Sequence, residues 1–294
     1  MVEASYLATS IVGGFVIGFI YSIVALGITI IYGILHIPDF SHGNRYMLGA
    51  YAGFATAMAV ANGFSYFSAI LAAILASALI ALASYRLVYK KLHDAPHITS
   101  FIAAIGLLLL LEGVALAIFG PRYQSLNTPF DYVVNVGGLR INFHRIVVLI
   151  ASVLAIAALF IFLKKTVTGV ALEATAQSPI GARLVGIKTE KMTMLAFILA
   201  GALAGYSAAL IAPITYVYPT MGAELNLKAF VICVVGGLGN IPGAIVGGLL
   251  LGLIEALFGS FVAIKWKGLV AFAILVAILC LKPEGLFGKR VRRA

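Results

Sequence analysis

Of the chain's 294 residues 63 % are hydrophobic and only 10 % are charged, where an ordinary soluble domain has about 25 % charged. So apolar a chain cannot cover itself with a polar surface; a bilayer is the solvent that suits it, and one membrane domain spanning residues 1–294 with no soluble appendage is expected. The net charge is +10, from 20 Lys and Arg against 10 Asp and Glu. Because the basic residues sit in loops between apolar runs, they read as topology determinants and anionic-lipid contacts rather than as a nucleic-acid surface.

Residues 1–44 contain no Lys or Arg. A secretory signal opens on positive charge, so the first apolar run is expected to be retained as a span. A helix needs about 20 apolar residues to cross ~30 Å of hydrocarbon. Runs of that kind lie at 9–35, 45–62, 66–89, 97–119, 145–163, 191–213, 242–261 and 266–282, with a shorter run at 226–238. Backbone groups in lipid must pair within their own segment, and the runs are continuous rather than alternating. The expected fold is an all-α integral membrane protein, a polytopic bundle of about eight transmembrane helices with one or two discontinuous segments.

The first interruption runs from Gly33 to Arg45, through Pro38, Asp39, Ser41, His42, Gly43 and Asn44. Polar groups at membrane depth are costly and turn toward a cavity or a partner, and Pro with Gly opposes a continuous helix. Two readings stand: a broken helix beside a translocation path, or an ordinary short turn. Next, the 86–97 connection holds Arg86, Lys90 and Lys91. The 120–145 connection is polar and turn-rich, with Pro121, Asn127, Pro129, Asn135, Gly137 and Gly138.

Residues 164–191 hold Lys164, Lys165, Arg183, Lys188 and Lys191 and contain helix signals of their own. Ser178 suits a cap, Pro179 the first helical position and Gly186 a C-terminal cap, while Ile180, Leu184 and Ile187 share one face. A short amphipathic helix needs cover for its apolar side: the membrane surface, its own domain, or a groove on a soluble partner. With the tail (Lys282, Lys289, Arg290, Arg292, Arg293) and the 86–97 loop, this segment collects 13 of the 20 basic residues. Arg122, Arg140, Arg145, Lys265 and Lys267 fall on the other side. The positive-inside rule then predicts a cytoplasmic C-terminus and 164–191 loop, and an outside N-terminus.

The second interruption is Gly236-Gly237-Leu238-Gly239-Asn240-Ile241-Pro242-Gly243. It fails the spacing of a dinucleotide loop, and the sequence holds no GxxxxGK[ST], so no nucleotide site is expected in this chain. Gly239, Gly243 and Gly247, and Gly248 and Gly252, are spaced for close helix packing, as are Gly14/Gly18 and Gly201/Gly205. Glu112, Lys228 and Glu255 are lone charges within spans. Glu112 and Glu255 read as polar contacts between helices, while Lys228 suits either a pathway or snorkelling to the outer surface. Cys233 and Cys280 read as small buried hydrophobes. No HExxH or comparable cluster suggests an enzyme or a metal site.

Several stretches resemble the LivH/LivM permeases of branched-chain amino acid importers. They are Ala174 to Ile187, Lys228-Ala229-Phe230 with Gly236 to Ala244, Tyr32-Gly33 with Asp39 to Gly43 and Tyr46 to Tyr51, and Pro283-Glu284-Gly285-Leu286. The resemblance covers nearly the whole chain and is nearer to LivH. It implies a permease subunit of an ATP-binding-cassette importer in the bacterial inner membrane. A second LivM-like permease or another copy, two cytoplasmic ATPase subunits and a periplasmic binding protein would complete the system. ATP and Mg would bind the partner ATPases, with no cofactor on this chain. It also implies that Ala174, Gln177, Pro179, Gly181, Arg183, Leu184 and Gly186 belong to an ATPase-coupling segment. Asp39, Ser41, His42, Asn44 and Lys228 are then candidates for the pathway. The family's usual Asn-Phe-Ala-His-Gly-Glu is Asp39 to Asn44 here, and relatives also carry amides and urea, which leaves the solute open. The rival reading is an ion-coupled secondary transporter, which also uses broken helices.

Overall fold

In the computed structural model, residues 2–60, 65–92, 95–127, 130–136, 139–261, 267–282 and 285–288 are described. Pro129, Gly137, Gly138, Lys265, Pro283, Glu284, Lys289, Arg290, Arg292 and Arg293 lie outside the described residues. The described chain runs α1 (Val2–Leu35), α2 (His42–Ala59), α3 (Ser65–Leu87), a 3-10 turn (Tyr89–Leu92), α4 (His97–Phe119), β1 (Val133–Val136), β2 (Leu139–Asn142), α5 (Phe143–Lys165), α6 (Val167–Gln177), α7 (Pro179–Leu184), α8 (Thr189–Ile211), α9 (Met221–Gly236), α10 (Ile241–Phe261) and α11 (Lys267–Leu281).

Six segments among the described residues are long and apolar enough to span: Tyr6–Leu35, Ser65–Leu92, Ile98–Phe119, Phe143–Lys165, Thr189–Ile211 and Ile241–Phe261. The expected runs at 45–62 and 266–282 are the helices α2 and α11. α2 has 18 residues, but its first half, from His42 to Tyr51, is buried except for Leu48. It sits among α3, α8, α9 and α4 instead of facing lipid. The polar 120–145 connection forms an antiparallel hairpin, with Val133 opposite Asn142 and Val134 opposite Ile141.

Helix faces divide by residue size. On α3, Leu71, Leu75 and Leu79 are exposed, which suits lipid, while Ala69, Ala73, Ser77 and Ala81 are buried. That small-residue face meets Gly201 and Gly205 of α8, where a Cβ would collide with Ser77 and Ala73. α1 and α10 repeat the device. Gly18 packs on Gly248 and Leu249, Gly252 has no room for a Cβ against Gly18, and Gly248 has none against Ser22. Small residues let backbones approach, which replaces the hydrophobic drive that lipid cannot supply.

These two pairs are the most extensive helix contacts in the molecule, and they belong to a larger pattern. α1 packs on α10 as α8 packs on α3; α1 meets α9 as α8 meets α2; α4 lies against α2 as α11 lies against α9. The unit α1–α4 therefore corresponds to α8–α11. The units run in opposite directions. α1 starts beside the end of α10, where the Tyr6 hydroxyl donates to the Ser260 carbonyl at 3.3 Å, and beside β2. α8 starts at the opposite end, where the Tyr85 hydroxyl donates to the Glu190 carbonyl at 3.5 Å. We call these the hairpin end and the basic end; the latter carries Arg86, Lys90, Lys91, Lys164, Lys165, Lys188 and Lys191. Two inverted four-helix units joined by the hairpin and α5–α7 form the kind of repeat found in many transporters.

Candidate functional site

Each unit breaks after its first helix. α1 ends at Leu35, His36 takes φ 56°, and the chain turns back inward before α2 begins at His42. α8 ends at Ile211, and residues 212–220 turn inward before α9 begins at Met221. Both second helices start inside the bundle. Ser77, near the middle of the 23-residue α3, donates to the Arg45 carbonyl at 2.8 Å. The Asn44 amide donates to the carbonyl of Leu108, the midpoint of the 23-residue α4. There the first turns of α2 and α9 cross. The Gly43 amide donates to Asn226 Oδ1 at 3.0 Å, and a Cβ at Gly43 would collide with the Gly222 carbonyl. A Cβ at Gly222 would in turn meet the Gly43 carbonyl at 2.8 Å.

Helix starts at mid-depth leave orphan amides that lipid cannot satisfy. At the first break Asn226 meets the Gly43 amide and a buried charge network meets that of Ser41. Asp39 Oδ2 lies 2.7 Å from Arg45 Nη1, both side chains fully buried. Asp39 Oδ1 accepts from the Ser41 amide at 3.0 Å, the Ser41 hydroxyl at 2.6 Å and the Tyr89 hydroxyl at 2.7 Å. Arg45 Nη2 donates to Ser41 Oγ at 2.9 Å, and its guanidinium lies 5.3 Å from the centre of the Phe197 ring. His42 is wedged against α1, where a Cβ on Gly27 would lie 2.6 Å from its ring. Asp39, Ser41, His42 and Asn44 thus share one packed cluster at the crossing, and none of them opens onto the cavity at the hairpin end.

Lys228 stands apart. Its Nζ donates to Glu255 Oε2 at 2.9 Å and to the Tyr21 hydroxyl at 2.8 Å, and Tyr21 donates to the same Glu255 oxygen at 2.9 Å. This triad joins α1, α9 and α10. Lys228 keeps 24 % of its side chain exposed while Glu255 keeps 3 %. Glu112 is half-buried on α4 and forms no ion pair among the described residues.

At the basic end, Thr166 caps α6 by accepting from the Gly169 amide at 3.0 Å. Ser178 caps α7 by accepting from the Gly181 amide at 3.1 Å, with Pro179 in its first turn. Gly186 then takes φ +83°. Ala182 is buried, whereas Ile180, Leu184 and Val185 are 72 %, 84 % and 75 % exposed. Ala174, Pro179 and Gly181 are half-buried, and Gln177, Arg183 and Gly186 are exposed. Gly239 sits in the turn before α10 at φ +78°, not on the α10 face. Gly243 meets Gly236 of α9, and a Cβ at Gly247 would meet the Ile232 carbonyl at 3.1 Å.

Sequence reasoning left Arg45 unassigned and missed Tyr89, Asn226, Gly27 and Gly222. One signal was available: Arg45 is the lone Lys or Arg before residue 86, and Glu3 and Asp39 are the only acids before residue 94. A buried Arg needs an acid, and Asp39 is the near one. The break at 212–220 holds no buried charge pair, and its signal is the prolines Pro213 and Pro219.

Inverted units with half-span helices crossing at mid-depth define a membrane transport protein of the permease class. Residues 10–279 match the model of the branched-chain amino acid transport system permease component, and the chain belongs to that family. It is 31 % identical to the high-affinity branched-chain amino acid transport system permease protein LivH of Escherichia coli K12, over 97 % of this chain and 96 % of that one. It is 29 % identical to BraD of Pseudomonas aeruginosa over 98 % of both chains. It is 27 % identical to a probable LivH of Methanocaldococcus jannaschii over 92 % and 90 %. The chain is the permease subunit of an ATP-binding-cassette importer, a multi-pass inner-membrane protein and a transport subunit rather than an enzyme.

Proposed function

We propose that this permease moves branched-chain amino acids inward, paired with a second, LivM-like permease. ATP and Mg bind two ATPase subunits on the cytoplasmic side, and a periplasmic binding protein delivers the solute. The basic end faces the cytoplasm together with the C-terminus, and the hairpin end with the N-terminus faces outward, in line with the positive-inside rule. The solute assignment follows the names of the relatives.

The observation that carries the coupling assignment is the uncovered face of α7. Two large aliphatic side chains, Ile180 and Leu184, stand exposed on a six-residue helix, with Val185 exposed just after it. That helix is capped at both ends and anchored through α6 to α5 and α8. A rigid, apolar knob at the basic end fits a groove on a soluble partner. Ala174, Gln177, Pro179, Gly181, Arg183, Leu184 and Gly186 form this segment within the 164–191 loop of one transmembrane domain. Motion of the ATPases, passed through α6–α7 to α8, shifts the crossing of α2 and α9 between outward- and inward-open states. Asp39, Ser41, His42 and Asn44 set that gate, and Lys228, with its half-open face on α9, lines the path.

The test is reconstitution with the ATPases. Arg183→Glu or Gly181→Trp is expected to leave ATP hydrolysis running while leucine uptake falls at least about tenfold, the factor that 1.4 kcal/mol of lost coupling gives. ATP-driven uptake at the wild-type rate in both variants would remove the assignment.

A further inference from the structure

At the hairpin end, α1, β1, β2, the start of α5 and the loop after α8 line a half-open cavity of about 400 Å³. That is within the range of small-ligand sites. Two arginines line it, the exposed Arg140 from β2 and the half-buried Arg145 from the first turn of α5. Neither forms an ion pair among the described residues. Arg145 is half-buried against α1, where its Nη1 lies 3.6 Å from the place of a Cβ on Gly13.

The placement of Arg145 does not serve its helix. A cation in a first turn opposes the helix dipole, and the cap is already made by Asn142, whose side chain accepts from the His144 amide at 2.9 Å. Two arginines and a helix N-terminus therefore concentrate positive potential on one hollow, with no ion pair to either arginine among the described residues. The remaining walls include the aliphatic residues Val12, Ile141 and Ile214. An anion with an aliphatic body fits this combination better than a bare oxyanion does. Guanidinium recognises a carboxylate through paired N–H donors.

We propose that this cavity is a receiving site for the carboxylate of a free aliphatic amino acid, with the side chain on the aliphatic wall. The proposal rests on the importer reading and adds to it a residue-level entry point that is separate from the crossing of α2 and α9.

The experiment uses the complete importer in nanodiscs of phosphatidylcholine. Radiolabelled leucine binding is measured without ATP and without binding protein, and uptake is measured with both. In the wild type, 4-methylpentanoate is expected to displace leucine and leucinamide is not. Arg140→Gln and Arg145→Gln are each expected to weaken leucine binding about tenfold or more, the loss of one charge-assisted pair. Arg145→Lys, which keeps the charge, should recover part of that loss and report on folding through an unchanged melting temperature. If the wild-type importer takes up no amino acid, the importer's solute assignment fails. If uptake proceeds but both Gln variants bind leucine normally, the receiving site fails alone. Displacement of leucine by phosphatidylglycerol at low mole fraction would assign the cavity to a lipid headgroup and overturn the proposal. So would variants that lose affinity only for the binding protein, which would make the arginines a protein-docking contact.

Discussion

The two helix breaks occupy equivalent places in the inverted units, yet they are held in different ways. At residues 36–41 a fully buried ion pair, Asp39–Arg45, is locked by Ser41 and Tyr89. At residues 212–220 the hold is mostly backbone. Val217 exchanges two hydrogen bonds with Gln124, at 2.8 and 2.9 Å, and the Tyr218 hydroxyl donates to the exposed Glu224 at 2.8 Å. The difference follows from depth and water. At the first break the Asp39–Arg45 pair is fully buried and held by Ser41 and Tyr89, while His36 is exposed and His42 Nδ1 and Nε2, Asn44 Oδ1 and Arg45 Nε have no hydrogen-bond partner among the described residues; the second break lies against the hairpin end, where Thr215 and Tyr216 are exposed. Equivalent positions in a repeat need equivalent backbone geometry, and the side-chain chemistry is free to differ.

The largest expected effect comes from the buried pair. Arg45→Gln leaves Asp39 buried without its partner and is expected to cost about 3–5 kcal/mol. Combining it with Asp39→Asn should return a good part of that. Unfolding midpoints of the purified protein in micelles measure both, and an Arg45→Gln protein as stable as wild type would end the account of the first break.

A smaller effect is expected at the crossing that both breaks share. Gly222→Ala pushes a Cβ toward Asn44 Oδ1 and the Gly43 carbonyl. Overpacking of this kind costs about 1–3 kcal/mol. The same melting assay reads it, and reconstituted uptake should fall further than stability because α2 and α9 can no longer approach.

The smallest effect belongs to the open side. Tyr218→Phe removes one hydrogen bond to an exposed carboxylate, worth about 1 kcal/mol or less. A loss as large as that of Arg45→Gln would show that the second break is as tightly held as the first, and the contrast would be void.

Much of the plan was legible in the residues. The expected apolar runs correspond to helices, because their length and composition answer to the thickness of a bilayer. Ser178, Pro179 and Gly186 marked the short helix α7 through local capping chemistry, which depends on neighbours in sequence. Pro38, Asp39 and Gly43 marked the first break for the same reason. The second break begins at the very end of the run read as 191–213 and fills the connection before 226–238. Ala212 and Ile214 are as apolar as the helix they end, but Pro213 and Pro219 are helix breakers that marked this break as Pro38 marked the first. Gly236 to Gly243 drew attention instead, and it is a turn at the basic end where Leu286 and Phe287 return to pair with Val235 and Gly236.

Residue type and spacing are sufficient for what depends on the bilayer and on adjacent residues: a helical membrane protein, its polar interruptions, and a small amphipathic helix in a basic loop. Pairing across the chain is different. That Asp39 meets Arg45 and Tyr89, that Gly43 rests on Gly222, that Lys228 reaches Glu255, and that Arg140 and Arg145 share a hollow all depend on which helix faces cross. Small residues permit close approach wherever two of their stripes meet. They do not say which stripes will meet, and the folding of the two inverted units against each other makes that choice.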